Sequence, residues 1–319
     1  METFRTTLLL FASLWLLSAC SHQQQDALLA SATELARSSA ELTLHTAHTL
    51  DVDMHYLERP GDGPTVLLVH GFSANKDTWL RFVRYLPEHY HIIIPDLAGH
   101  GDTPAADSHD LQRQAQRLHA LAEALNISAW HMAGNSMGGA IVALYAVAYP
   151  QYVLSLALLD AAGVDAPDIS PFFAALEQGQ NPLIASDEES FERRWHMTMS
   201  QPPLLPWPLR PALIRKTLAR EALNRRIFAD MMATRETLQQ HQFEQQVRQV
   251  IRMPTLIMWG EEDQVLDVSS VTVFKDLIPH AQTIIYPGIG HLPMVEAPKK
   301  SAADYVSFLQ TATDATPQG

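Results

Sequence analysis

Residues 134 to 138 read Gly134-Asn135-Ser136-Met137-Gly138, a G-x-S-x-G pentapeptide. A serine hydroxyl is a poor nucleophile until a base takes its proton, and the base acts well only when a third group orients it. The spacing describes a sharp turn from a strand into a helix. Such a turn strains the backbone at the serine, exposes its Oγ, and needs small neighbours because strand and helix nearly collide. An apolar run precedes the pentapeptide, and a helical run from Ala140 to Tyr149 follows it. The N-terminus of that helix would offer N–H donors and a favourable dipole to a developing oxyanion.

The base and its orienting acid are expected downstream, in the order serine, acid, histidine. Asp263 follows the run ending Met258-Trp259-Gly260, and His291 stands in Gly288-Ile289-Gly290-His291. Both sit just past apolar runs, as the serine turn does, so all three belong to the carboxyl edge of one sheet. The chain has 15 histidines, and position and flanking glycines single out His291. Asp267 and Asp160 are alternative acids. One oxyanion donor is expected to be the N–H of Met137. The other should come from the loop after Val66 to Val69, which begins His70-Gly71-Phe72, and the Phe72 N–H is the candidate. His45 and His48 form H-x-x-H on an apparent strand, where residues three apart point to opposite faces. No metal is expected there, and the proposed chemistry requires neither metal nor organic cofactor.

These groups need a scaffold. Leu42 to Thr49 and Val52 to Leu57 alternate like half-buried antiparallel strands. Six runs apolar throughout follow: Val66 to Val69, Ile92 to Ile94, Trp130 to Ala133, Val153 to Leu159, Thr255 to Trp259 and Thr283 to Tyr286. Strands apolar on both faces belong to parallel sheets covered by helices on both sides. Helical stripes lie between them: Trp79, Phe82, Val83 and Leu86; Leu111, Ala115, Leu118, Ala122 and Leu125; Ala302, Tyr305, Val306 and Leu309. The fold class is therefore α/β, with a mostly parallel, doubly wound sheet. Residues 163 to 252 show no convincing strand and read as a helical cap inserted into the core, which spans 42 to 162 and 253 to 319. The cap carries apolar residues that suit an acyl chain, including Phe172, Phe173, Leu176, Trp195, Met199, Leu204 and Trp207. Its segment from Arg210 to Arg226 is basic and amphipathic. It reads either as a solvated helix face or as a surface for anionic head groups.

Composition narrows the partners. In 319 residues, 22 Lys and Arg stand against 35 Asp and Glu, a net charge of -13. That excess repels phosphate backbones, so no nucleic-acid partner is expected. Hydrophobic residues make up 47%, enough for a large core. Residues 1 to 19 have the order of a signal peptide: Arg5 near the start, an apolar run from Leu8 to Leu17, then Ser18 and Ala19. The apolar run would cover roughly 15 Å as helix, about half a bilayer core. The single cysteine, Cys20, excludes an intrachain disulfide.

Leu17-Ser18-Ala19-Cys20 resembles the lipobox of bacterial lipoproteins. The resemblance implies cleavage before Cys20 and lipidation of its thiol. Residues 20 to 41 then form a lipidated tether and N-terminal segment, in which Ser21 to Asp26 reads as the tether itself. With Ser21 rather than Asp after the cysteine, it implies a lipid anchor in the outer membrane of a bacterial envelope.

Taken together, V-H-G-F at 69 to 72, P-D-L-A-G-H-G-D-T at 95 to 103, G-N-S-M-G-G at 134 to 139, G-E-E-D at 260 to 263 and G-I-G-H at 288 to 291 resemble the α/β-hydrolase superfamily. The elbow and the segment H-G-F-x-x-N-K-D-x-W are similar to bacterial lipases of the Moraxella and Psychrobacter type. The resemblance implies an α/β-hydrolase fold, with a mostly parallel eight-stranded sheet flanked by helices and a helical cap. It also implies a serine carboxylic-ester hydrolase, a lipase or esterase acting on acyl-ester lipids through an acyl-enzyme. Position by position, Ser136 would be the nucleophile, Asp263 the acid, His291 the base, and Phe72 and Met137 the oxyanion donors. Thr103 departs from the serine that many relatives carry there. A phospholipase, a carbon–carbon hydrolase of ring-cleavage products and a catalytically silent envelope binding protein are the alternative functions.

Overall fold

The computed structural model describes residues 20–240 and 242–314. The signal-peptide reading of residues 1 to 19 lies outside them. Eight strands form one sheet: β1 Thr43–His48, β2 Asp53–Arg59, β3 Thr65–Val69, β4 His91–Pro95, β5 Trp130–Asn135, β6 Val153–Leu159, β7 Thr255–Gly260 and β8 Gln282–Tyr286. Their order across the sheet is β1-β2-β4-β3-β5-β6-β7-β8. β1 and β2 pair antiparallel, as do β2 and β4, and every other pair is parallel. This is the eight-stranded, mostly parallel sheet that the apolar runs predict.

The five central runs are apolar throughout because each feeds two cores, while the edge strand β8 adds only Ile284 and Tyr286 to one of them. In β3, Leu67 and Val69 join a cluster with Ile93, Met132, Leu158 and Ile257 on one face. Val66 and Leu68 join Ile92, Ile94, Leu159 and Met258 on the other. Successive side chains of a strand alternate faces, so a strand covered on both sides has no solvent-facing position to fill with a polar residue. The first cluster is closed by α3 Leu111–Ala124, α4 Met137–Ala148 and α10 Ser270–Leu277, the second by α2 Leu80–Val83 and α12 Pro298–Asp314. All three predicted helical stripes lie in these clusters. The first is shorter than its pattern implies, because its start is a 3-10 turn at Lys76–Trp79.

Between β6 and β7 run five helices and, among the described residues, no strand: α5 Pro171–Glu177, α6 Glu188–Thr198, α7 Leu209–Leu218, α8 Glu221–Gln240 and α9 Phe243–Val250. Polar clamps fix this insertion to the sheet. Asp230 accepts from the backbone and the Nδ1 of buried His109, both at 3.0 Å. Asn224 Nδ2 donates to Ser73 Oγ at 2.9 Å.

Two sequence expectations change. Ser21 to Asp26 is not a loose tether but leads into α1, His22–Ser38, started by a capping box between Ser21 and Gln24. Arg215 of α7 holds this helix through Gln25 Oε1 at 2.7 Å, Asp26 Oδ1 at 2.5 Å and the His22 carbonyl at 3.2 Å. The basic segment is also largely engaged within the molecule. Arg210 pairs with Glu192, Arg225 with Glu221, Arg220 reaches the Gly99 carbonyl and Arg226 the Ala106 carbonyl. Among the described residues, no helix is long and apolar enough to cross a membrane.

His131 lies inside β5, the strand that leads to the serine, and meets Ser155 Oγ at 2.8 Å. Burial pushes its pKa down from 6.5 to about 4. Between those values the unfolded chain binds a proton that the folded one refuses. Stability is therefore full above pH 6.5 and is lost as pH falls toward 4, by about 3 kcal/mol for this group. Denaturant melts from pH 7.5 to 4.5 should show that decline, and His131→Asn should flatten it. An unchanged slope in the variant would remove His131 as a source.

Candidate active site

Ser136 connects β5 to α4 with φ 57° and ψ -123°, a conformation that side chains other than glycine rarely adopt. The turn is enforced from both sides. A Cβ on Gly134 would strike the Gly138 carbonyl, and one on Gly138 would strike the carbonyls of Val69 and His70. The serine N–H donates to the Leu159 carbonyl at 3.0 Å, and its carbonyl accepts from Gly139 at 2.9 Å and Ala162 at 3.0 Å. Its hydroxyl has no hydrogen-bond partner among the described residues and faces a cavity. Hydrogen bonds of this kind often tighten only when substrate binds.

The Nδ1–H of His291 donates to Asp263 Oδ2 at 2.7 Å, and both side chains are buried. The other oxygen of Asp263 accepts from the N–H groups of Val265 at 2.7 Å and Leu266 at 3.1 Å. The carboxylate is thus held on one side and faces imidazole on the other. His291 is kept close to the serine by Asn135, whose Nδ2 donates to the His291 carbonyl at 3.1 Å and to the Leu159 carbonyl at 3.1 Å. The structure therefore brings Asp263 and His291 into direct contact and ties the histidine to the residue before Ser136. Asp267 is turned elsewhere and accepts from Ser269 N–H at 2.9 Å. Asp160 is close to both Asp263 and His291. His45 and His48 do not converge: His45 meets Thr43 Oγ1 at 2.8 Å and His48 meets Asp53 at 2.8 Å.

The N–H groups of Phe72 and Met137 donate to no acceptor among the described residues, as an oxyanion hole requires. Gly71 passes so close to the elbow that a Cβ there would lie 3.0 Å from Ser136 Cβ. His70 orients this loop. Its Nδ1–H donates to the Gly71 carbonyl at 2.8 Å, and its Nε2 accepts from Leu97 N–H at 3.1 Å. Burial lowers its pKa, which keeps Nε2 free to accept. Asp96 braces the same region. It accepts from Lys76 N–H at 2.8 Å, Lys76 Nζ at 2.5 Å and Asp102 N–H at 2.8 Å. Thr103 Oγ1 accepts from His55 N–H at 2.9 Å.

Sequence reasoning passed over Asn135, His70 as a loop brace, and Glu296. The Glu296 carboxylate accepts from Gly290 N–H at 3.1 Å and Gln201 N–H at 2.7 Å, so it fixes the histidine loop and a cap segment together. Burial raises its pKa despite those donors. For Asn135 and His70 the signal was present, since both lie inside motifs already marked. Glu296 carries none.

Above the serine lies a cavity of about 410 Å³ whose lining includes Phe72, Phe172, Phe173, Leu183, Met231 and Val265. Asp165, Arg235 and Glu244 also line it, and Arg235 pairs with Asp165 at 2.5 Å while lying over the Phe173 ring. Of the cap residues expected to be apolar contacts, Phe172 and Phe173 reach this cavity. Trp195 instead stacks on Phe191 with Arg210 over both rings, and Leu204 is 91% exposed.

The chain is similar to known proteins. Lipase 3 of a Moraxella species is 34% identical over 279 residues, covering 85% of this chain and 86% of that protein. Lipase 1 of Psychrobacter immobilis is 36% identical over 251 residues, 77% of each. A solved structure described as a membrane phospholipase A, a bacterial virulence factor, superposes with a TM-score of 0.86 at 39% identity, covering 99% of this chain and 100% of that one. The family model for the alpha/beta hydrolase fold matches residues 64–298, and the chain belongs to that family.

Proposed function

We propose that this protein hydrolyses acyl esters of lipids, with Ser136 as nucleophile, His291 as base, Asp263 as orienting acid, and the Phe72 and Met137 amides as oxyanion donors. The observation that carries this reading is a buried carboxylate–imidazole pair at 2.7 Å, tied through Asn135 to the residue before a strained serine that lines a largely apolar cavity. An ester carbonyl seated over Ser136 is attacked as His291 Nε2 takes the hydroxyl proton. Asp263 holds the proton of Nδ1 in place, so Nε2 is the basic nitrogen. The oxyanion meets the two free amides, each typically contributing about 3 kcal/mol to the transition state. The imidazolium protonates the leaving alcohol, then water repeats the sequence to release the acid. The cavity suits an acyl chain, and the charged groups Asp165, Arg235 and Glu244 suit the polar end of an ester lipid.

The test is a panel of mono-, di- and triacylglycerols, diacyl phospholipids and a dienoic diketone, with fluorophosphonate labelling of the folded enzyme. Ester cleavage and labelling at Ser136 are expected. Cleavage of the diketone without ester turnover would favour the carbon–carbon reading, and no labelling would favour a silent binding protein.

We also propose that Cys20 carries the lipid anchor that places the enzyme at a bacterial envelope membrane, in the outer membrane. Acyl chains hold a protein to a bilayer by about 0.8 kcal/mol per buried CH₂. The first helix begins two residues after Cys20 and is clamped to the cap through Arg215. The loop before α7 carries Leu204 and Trp207, 91% and 42% exposed, which suits a cap near a bilayer. Cys20→Ser should abolish palmitate incorporation in the producing cell and move the protein from membrane to soluble fractions. Labelled, membrane-bound Cys20→Ser protein would end the idea.

A further inference from the structure

Asp160 directly follows β6 and clusters with the Asp263–His291 pair. It is fully buried and takes φ 44°, in the left-handed region that a non-glycine residue holds only where its surroundings enforce it. Its Oδ1 accepts from Gly260 N–H at 2.8 Å. Its Oδ2 is buried without any donor. Asp263 and His291 each place a polar atom within 4.8 Å of Asp160. Glu296, from α11 Pro293–Glu296, and the Tyr286 hydroxyl of β8 also act on this group. The hydroxyl of Tyr286 already donates to Asp304, and the His291 Nδ1–H is committed to Asp263. A carboxylate oxygen so placed faces a second carboxylate with nothing to accept from. The contradiction disappears if that oxygen bears the proton itself.

We propose that Asp160 is a positioning residue that stays protonated in the working enzyme and donates its Oδ2–H to the carboxylate of Asp263. The two acids then carry one negative charge between them. Asp263 gains a third kind of donor beside the Val265 and Leu266 amides and the imidazole. Burial first, and the Asp263 charge second, hold the Asp160 proton well above the usual carboxylate range, against the single Gly260 N–H that favours the anion. This inference rests on the serine-hydrolase reading, since only there does Asp263 have a catalytic partner to hold.

Asp160→Asn reproduces the donor and acceptor pattern of the neutral acid, with Oδ1 toward Gly260 N–H and Nδ2 toward Asp263. Asp160→Gly removes both. Asn and Gly tolerate positive φ, so neither substitution adds backbone strain. The readouts are kcat, KM, the acid limb of kcat/KM with pH, and the rate of fluorophosphonate labelling at Ser136. For Asp160→Asn we expect kcat within about threefold and an unmoved acid limb. For Asp160→Gly we expect kcat to fall roughly tenfold with KM unchanged, and the acid limb to rise, because Asp263 then directs more of its charge at the imidazolium.

An ionised Asp160 predicts the opposite sign. Removing an anion near His291 would lower the imidazole pKa and move the acid limb down by about one unit in both variants. That shift, or a loss above about tenfold in Asp160→Asn, overturns the proposal, as does activity abolished by a chelator and restored by a divalent cation. If Asp160→Gly fails to fold, Asp160→Asn decides alone. Wild-type protein that is not labelled at Ser136 would count against the hydrolase reading instead, so the two failures are distinguishable.

Discussion

Ser136→Ala is expected to lower turnover of a short-chain p-nitrophenyl ester by about 10⁵-fold or more, to the residue supplied by binding and the oxyanion donors. Stability should barely move. The hydroxyl has no partner to lose among the described residues, and the turn is held by backbone bonds from the serine N–H to the Leu159 carbonyl and from the Gly139 and Ala162 N–H groups to the serine carbonyl, which the substitution leaves in place. Circular dichroism and a melting curve therefore accompany the kinetics, so that lost activity is read against an intact fold. Retained turnover above about 1% of wild type would displace Ser136 as nucleophile.

Asp263→Asn carries the second-largest effect, about 10⁴-fold in kcat with KM little changed. Its mechanism is specific to this geometry. The Oδ1 position accepts two backbone N–H groups, from Val265 and Leu266, and only the carbonyl oxygen of an asparagine can satisfy them. The amide nitrogen must then face His291 Nδ1 as a donor. The imidazole is forced into the other tautomer, with its proton on Nε2, where it cannot take the proton of Ser136. The ring should stay in place, since its backbone carbonyl is held by Asn135 at 3.1 Å. The check is kcat and KM across pH 6 to 9, roughly the range in which histidine bases operate, for Asp263→Asn beside Asp160→Asn. Loss in the first with little loss in the second separates two acids that the chain places in one cluster. A kcat for Asp263→Asn within tenfold of wild type would remove it as the acid.

Much of this architecture was legible in the chain. The first two strands were readable from their alternation and the central ones because parallel strands covered on both faces are apolar at every position, and the elbow because a strand-to-helix collision at Ser136 admits only small neighbours. The start of α1 was less legible. Ser21 and Gln24 form a capping box, yet a polar run beside a lipobox-like cysteine reads as linker. What secures the helix is Arg215, nearly two hundred residues away. The same arginine belongs to the basic segment that read either as a solvated helix face or as a surface for anionic head groups. A basic stripe at helical spacing says nothing about whether carboxylates and carbonyls elsewhere in the chain already occupy it.

The chain by itself determined which chemical groups are present, their order, and the edge of the sheet where they gather, because side-chain type and hydrophobic periodicity are local properties. Only the tertiary structure decided which of Asp160, Asp263 and Asp267 touches the imidazole and which is left without a donor. Those outcomes depend on strand register and loop path, which place groups many residues apart to within the few tenths of an ångström over which a hydrogen bond is made or lost.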